Sequence, residues 1–203
     1  MVCTGSILLR TVSRTFYATR QISQLPVGIW GAGFDQGQPH QGVGEAPHAM
    51  REAGLVSRLS GLGCRVTDHG DVMVVRGEDQ TRDTRQQEVA RFSLTAHNMV
   101  KKMVEQGQLA VTLGGDHSIA LGTVAGHLAS DPRCVVVWVD AHADINTISS
   151  SNTGNMHGMP LSFNIKQLQV LTIDTTHHIA KLLSIARSKP VKSKRKGDTW
   201  LTN

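Results

Sequence analysis

The sequence predicts an α/β fold in which a mostly parallel sheet is layered between helices on both faces. Three features lead there. Short runs of apolar β-formers alternate with helix-period segments along most of the 203 residues. The strongest run, 134–140 (CVVVWVD), is apolar at consecutive positions, as a central strand covered on both faces would be. Polar, chemistry-bearing residues follow the last two runs at once, in GGDHS and DAHAD, and ligands gather outside the carboxyl ends of strands in such sheets.

Taken in order, VGIWGAG from Val27 reads as a short buried strand ending in glycines, and QGQPHQGVGEAP as a Gly/Pro-rich loop. APHAMREAGLVSRLSGLG reads as one helix. Pro47 suits its first turn, Ala49, Met50, Ala53, Leu55 and Leu59 make a partial apolar face, and Gly61 and Gly63 mark its end. CRVTDHGDV is a second strand and turn, and 73–84 is polar loop. The segment 84–108 is the clearest helix: Val89, Phe92, Leu94, Ala96, Met99, Val100 and Met103 approximate a 3.6 period, and Gly107 stops it. LAVTLGG is a strand, and SIALGTVAGHLAS a helix capped by Ser118 or Asp116. The run CVVVWVD follows, which places both polar motifs on the same edge of the sheet.

The ends differ from the middle. Of a formal charge of +5, residues before 35 carry +3 and residues after 180 carry +6, leaving −4 between them. Basicity confined to the ends argues against a nucleic-acid face on the folded core. No apolar run approaches the ~18 residues of a membrane span, so no membrane partner is expected. Residues 1–24 hold arginines, hydroxyl residues and no acid, which fits a mitochondrial transit-like segment better than a secretory signal; a frayed start is the alternative. The body then runs over 25–176, and 177–203 is a basic tail in which IAKLLSIA makes at most a short helix. His177 and His178 are adjacent, point apart, and read as surface residues. Cys3, Cys64 and Cys134 are too scattered for a disulfide framework or a zinc site, and read as buried thiols in a reducing compartment.

Asp140, His142 and Asp144 stand at a period of two behind an apolar strand, so extended backbone would point all three the same way. Two carboxylates and an imidazole suit Mn, Fe or Zn more than Ca, and copper less. His117, at the end of the preceding strand, closes the set from the side. The competing reading makes Asp140 and Asp144 mere helix or turn caps, and a second histidine on the same sheet edge weighs against it.

LGGDHSIALGTVAGH, VVWVDAHADINT and TGNMHGMPLSF together resemble arginase, within the ureohydrolase family. The likeness runs from about Val27 to Phe163 and is weak across 73–100; the transit-like start is closer to the mitochondrial type. The resemblance implies a three-layer α/β/α fold with a mostly parallel sheet, here without the C-terminal part of that fold. It implies a pair of Mn²⁺ ions and hydrolysis of L-arginine to L-ornithine and urea in the mitochondrial matrix. By position, His117 and Asp144 would bind one manganese, His142 the other, and Asp140 would bridge them. Such a pair makes water nucleophilic near neutral pH, and Asp144 would also orient it. His157 would be the proton shuttle for the leaving amine. Asn146, Thr153 and Asn155 would hold the α-amino and α-carboxylate end of the substrate. Thr153 stands where arginases usually carry Ser, and only the hydroxyl is required.

The sequence departs from the family after Phe163. The later Asp-x-Asp motif that completes both metal sites has no counterpart, since Asp174 and Asp198 are isolated. The leading expectation is an arginase-type hydrolase, a homo-oligomer or an associate of full-length arginase. The alternatives are an inactive chain that binds or modulates full-length arginase, and agmatine as substrate; Asn146 and Asn155 favour arginine.

Overall fold

The computed structural model describes residues 7–9, 24–74 and 81–165. A parallel three-stranded sheet forms from Pro26–Gly33 (β2), Arg65–Met73 (β3) and Leu109–Gly114 (β4), with β2 in the middle. The pairing begins at Pro26↔Arg65 on one side and Val27↔Leu109 on the other. The chain leaves β2 for β3, then crosses back over β2 to reach β4. That reversal makes a switch point between β2 and β4, and ligands in open α/β sheets gather outside the carboxyl ends of the strands at such a point.

Alternation along β2 sorts its side chains into two cores. Trp30, Ala32 and Phe34 face Val89, Phe92, Ala96, Val100 and Met103 of the long helix Arg82–Glu105 (α3), with Leu121 of Ala120–Ser130 (α4) and Phe163 of Pro160–Asn164 (α5). Val27 and Ile29 face the other way, onto Leu113 and Cys64, with Met50, Leu55 and Leu59 packed against them. The latter come from Ala46–Glu52 (α1) and Leu55–Gly61 (α2). Helices thus cover both faces of the sheet, and the three-layer α/β/α architecture stands. The Phe34 and Phe92 rings stack with centroids 4.5 Å apart, and the Trp30 indole N–H reaches Thr112 Oγ1 at 2.8 Å.

Several element boundaries differ from the sequence reading. The single helix expected over 46–63 is two, because Gly54 takes φ +84 between them and ends the first helix in a left-handed turn. α3 begins at Arg82, two residues early, with Thr81 as its cap: Thr84 N–H donates to Thr81 Oγ1 at 3.3 Å. The segment read as polar loop is therefore helical from Arg82 onward. Asp116 rather than Ser118 is the cap ahead of α4. Its carboxylate accepts from Ser118 N–H at the head of a 3-10 turn, His117–Ile119, that runs into the helix.

The larger correction concerns 134–140. Its strand is only Val135–Val137 (β5), and among the described residues it has no neighbour in the three-stranded sheet. Instead it pairs antiparallel with Ile7–Leu9 (β1), in the register Ile7↔Val137. Val135, Val137 and Val139 are 59%, 42% and 60% exposed. Apolar residues on both faces signal a strand meant to be sandwiched, but the pattern does not say which strands flank it. Cys64 is buried as expected, while Cys134 is half-buried, with burial and then Asp131 pushing its thiol pKa up. The tail helix, His177 and His178, Cys3 and the rest of the leader lie outside the described residues.

Candidate metal centre

Three donor groups meet at the carboxyl edge. His117 Nδ1 lies 2.8 Å from Asp144 Oδ2 and 3.1 Å from Asp140 Oδ2. One ligand atom from each of the three falls within 4.8 Å of the others. The Asp140 and Asp144 side chains are only 6% and 8% exposed, that of His117 31%. Two nearly buried carboxylates facing one imidazole leave negative charge in excess, a costly state that a divalent cation offsets.

His142 stands apart from these three. Its side chain is 82% exposed, and its Nδ1 lies 3.7 Å from the other oxygen of Asp140, Oδ1. Asp140 thus presents Oδ2 to His117 and Oδ1 to His142. The even comb expected from a period of two does not form, because the backbone is not extended there. His142 N–H folds back onto Asp140 Oδ1 at 3.0 Å, and Asp144 takes φ 49. A left-handed residue rotates its side chain out of the alternation, and Asp tolerates that region better than most.

Neighbouring contacts brace this turn. The Trp138 indole N–H donates to the His142 carbonyl at 3.0 Å, and its ring meets His117 edge-on at 6.1 Å. Leu161 N–H donates to the Asp144 carbonyl and Asn146 N–H to the Gly158 carbonyl, both at 3.1 Å, so the loop after β5 lies along 156–161. Sequence reasoning missed Trp138, and its position two residues before Asp140 was the available signal.

The remaining candidates run from Asn146, in the loop after β5, to His157. His157 is half-buried in a 3-10 turn, Met156–Gly158, which packs against the turn holding His117. Its N–H donates to the Gly37 carbonyl at 3.1 Å. Asn146 and Thr153 are exposed and Asn155 half-buried. Thr153 Oγ1 accepts from Asn155 N–H at 3.3 Å, which leaves its own hydroxyl proton to donate.

Asp116, expected only as a cap, is a further buried acid beside the site. Gly37 N–H donates to its Oδ2 at 2.7 Å, and Ser118 donates to its Oδ1 from backbone and hydroxyl. Burial pushes its carboxyl pKa up, against the pull of those hydrogen bonds and of nearby His157.

The Arginase family model matches residues 25–187, which carries the likeness beyond the Phe163 where the motifs end. Arginase-2, mitochondrial, of Oryctolagus cuniculus is 41% identical over 169 residues, covering 81% of this chain and 48% of that protein. Arginase-2, mitochondrial, of Homo sapiens is 45% identical over 147 residues, covering 70% and 42%. Arginase-1 of Bos taurus is 40% identical over 148 residues, covering 70% and 45%. Among solved structures, the arginase of Bacillus caldovelox matches with TM-score 0.60 and 35% identity over 72% of this chain and 52% of that one. The Entamoeba histolytica arginase in complex with L-ornithine matches with TM-score 0.64 and 25% identity over 79% and 54%. The chain spans about half the length of the curated relatives it matches.

Proposed function

The chain belongs to the arginase family, and from that premise we propose that it is a manganese-dependent hydrolase converting L-arginine to L-ornithine and urea. The observation that carries this reading is the meeting of His117, Asp140 and Asp144 at the switch-point edge of the sheet. The donor set fits the metal: carboxylates and an imidazole, with excess negative charge held out of water. His117, Asp144 and Asp140 would hold one ion. Asp140 Oδ1 and His142 would begin a second site. When bound, such a pair acidifies water and polarises the substrate.

The chain's own residues supply the rest. Asp144, anchored through its carbonyl by Leu161 N–H, orients the attacking water. His157 Nδ1 lies 3.4 Å from the Gly37 carbonyl, so Nε2 is the atom that would take up the proton the attacking water releases and pass it to the departing amine. Asn146, the Thr153 hydroxyl and Asn155 hold the amino-acid end of arginine. Agmatine lacks the carboxylate these groups would contact, which favours arginine.

Urea release from arginine by folded, manganese-loaded protein, set against agmatine and against a metal-free sample, is the test. No release from any guanidino substrate would remove the catalytic reading. Self-association, or pairing with a full-length arginase, belongs to the same proposal. It is supported by the exposed valines of β5 and checked by sedimentation. Residence in the mitochondrial matrix is supported by the composition of residues 1–24 and by the names of the relatives. Imaging a fluorescent fusion checks it. The division into a leader of 1–24, a hydrolase body of 25–176 and a basic tail of 177–203 completes the reading.

A further inference from the structure

Candidate ligand His117 and candidate shuttle His157 lie on different loops, yet a single residue, Gly37, joins their turns. The Gly37 N–H donates to Asp116 Oδ2 at 2.7 Å. The Gly37 carbonyl accepts from the His157 N–H at 3.1 Å, and His157 Nδ1 lies 3.4 Å from the same oxygen. Asp116 Oδ1 accepts from the Ser118 N–H at 2.9 Å and from the Ser118 hydroxyl. Asp116 is 6% exposed and Ser118 1%. The packing leaves no slack, since a Cβ on Gly37 would lie 2.6 Å from Ser118 Oγ and 2.7 Å from Asp116 Oδ1.

Two points of hydrogen-bond chemistry give this chain of contacts a direction. A carbonyl oxygen only accepts, so a ring nitrogen that meets it must carry the proton. A neutral imidazole protonated on Nδ1 keeps its lone pair on Nε2. A buried carboxylate is tolerated when several donors meet it, and here three do. The donors are two backbone N–H groups and one hydroxyl, so the acid holds the backbone on both sides of it.

We propose that Asp116 is a positioning residue for His157: acting through Gly37, held by its N–H while its carbonyl meets the ring, it fixes the imidazole in the Nδ1–H tautomer and leaves Nε2 to exchange the proton. The same carboxylate caps the turn that carries His117, so one buried group sets the placement of both histidines. The role of His157 rests on the hydrolase reading, but the tautomer is measurable without turnover, so either idea can fail alone.

Long-range ¹H–¹⁵N correlation spectra of the ¹⁵N-histidine-labelled full chain report the tautomer of His157. The wild-type ring is expected as Nδ1–H. In Asp116→Asn one oxygen is replaced by an amide NH₂, which sets donor against donor at Gly37 or Ser118. The His157 signals then move toward the Nε2–H form, and the Gly37 amide exchanges about tenfold faster or more, as for loss of a hydrogen bond to a charged group. Gly37→Ala moves the His157 signals the same way with Asp116 intact, and decides the matter if Asp116→Asn does not fold. Asp116→Glu, which keeps the carboxylate, returns part of the Nδ1–H signal. Amide protection in β2 is expected unchanged in all three, which separates a local effect from general loosening. A wild-type ring in the Nε2–H form overturns the proposal. So does a His157 tautomer unmoved in a folded variant whose Gly37 amide has been released.

Discussion

His117 Nδ1 and Asp144 Oδ2 lie 2.8 Å apart although 27 residues separate them in the chain. One belongs to the turn after β4 and the other to the loop after β5, and these strands do not pair in one sheet. The contact therefore depends on the packing of α4, α5 and the loop 144–161 rather than on a strand ladder.

Removing one member of this pair should be felt first in metal binding. Asp144→Asn is expected to weaken manganese binding by more than the roughly 10–100-fold that outer-shell changes cost. His142→Ala, with its exposed ring, should leave the tighter site nearly intact. Calorimetric titration with Mn²⁺ reads both. At about a hundredfold excess over Kd, manganese should add ~2.7 kcal/mol of stability to wild type, a gain that chelator removes and that Asp144→Asn largely lacks.

The Arg51 guanidinium forks onto Asp68 at 2.8 and 2.9 Å and also pairs with Asp71. Its hydrogen bonds hold the Asp68 carboxyl below the usual range, against the opposing effect of burial. A depressed folded-state pKa contributes stability above the unfolded value, about 3.9, and that contribution is lost as pH falls through the lower folded value. Arg51→Met should therefore cost roughly 1 kcal/mol or less near neutral pH, since the pair is partly exposed. It should also flatten the fall in stability below about pH 4. Urea unfolding across that range measures it, and an undiminished acid slope in the variant would count against the pair.

Two glycines should fail for different reasons. Gly54 has φ +84 and open space around it, so Gly54→Ala costs only the left-handed conformation, roughly 1–2 kcal/mol. Gly115 lies against the backbone of Phe34, where a Cβ would fall on the carbonyl oxygen. Gly115→Ala should cost more, ~3 kcal/mol or above, and should also disturb the Asp116 turn. Denaturant midpoints rank the two, and the reverse order would contradict the packing.

Trp30 is fully buried between the sheet and α3 and holds Thr112 through its indole N–H. Trp30→Phe removes that donor and some volume, and is expected to cost roughly 1–3 kcal/mol. Pairing it with Thr112→Val should recover part of the loss, because the stranded hydroxyl goes too. A double-mutant cycle of unfolding free energies tests this.

Much of the fold was readable where a local period decides structure. Val89, Phe92, Ala96, Val100 and Met103 of α3 pack on Trp30 and Phe34 as their 3.6 spacing implies, while Leu94, counted on the same face, is exposed. The β2 strand divides its residues between two cores because strand side chains alternate. The split at Gly54 was less legible, since a glycine inside an apolar helical pattern reads equally as tolerated or as a stop. The strand at β5 was misjudged because burial on both faces is a property of neighbours, which its own seven letters do not name.

For the site, the sequence by itself determined which chemical groups are present and which apolar runs GGDHS and DAHAD follow. Residue types and strand ends are local properties, and GGDHS, DAHAD and GNMHG carry them. Only the tertiary structure decided which groups meet. Asp144 turns through φ 49 to join His117, His142 swings out toward the other oxygen of Asp140, and Asp116 reaches His157 through Gly37. Each of these depends on backbone dihedrals and hydrogen bonds set by segments distant in the chain, and no spacing between neighbouring residues encodes them.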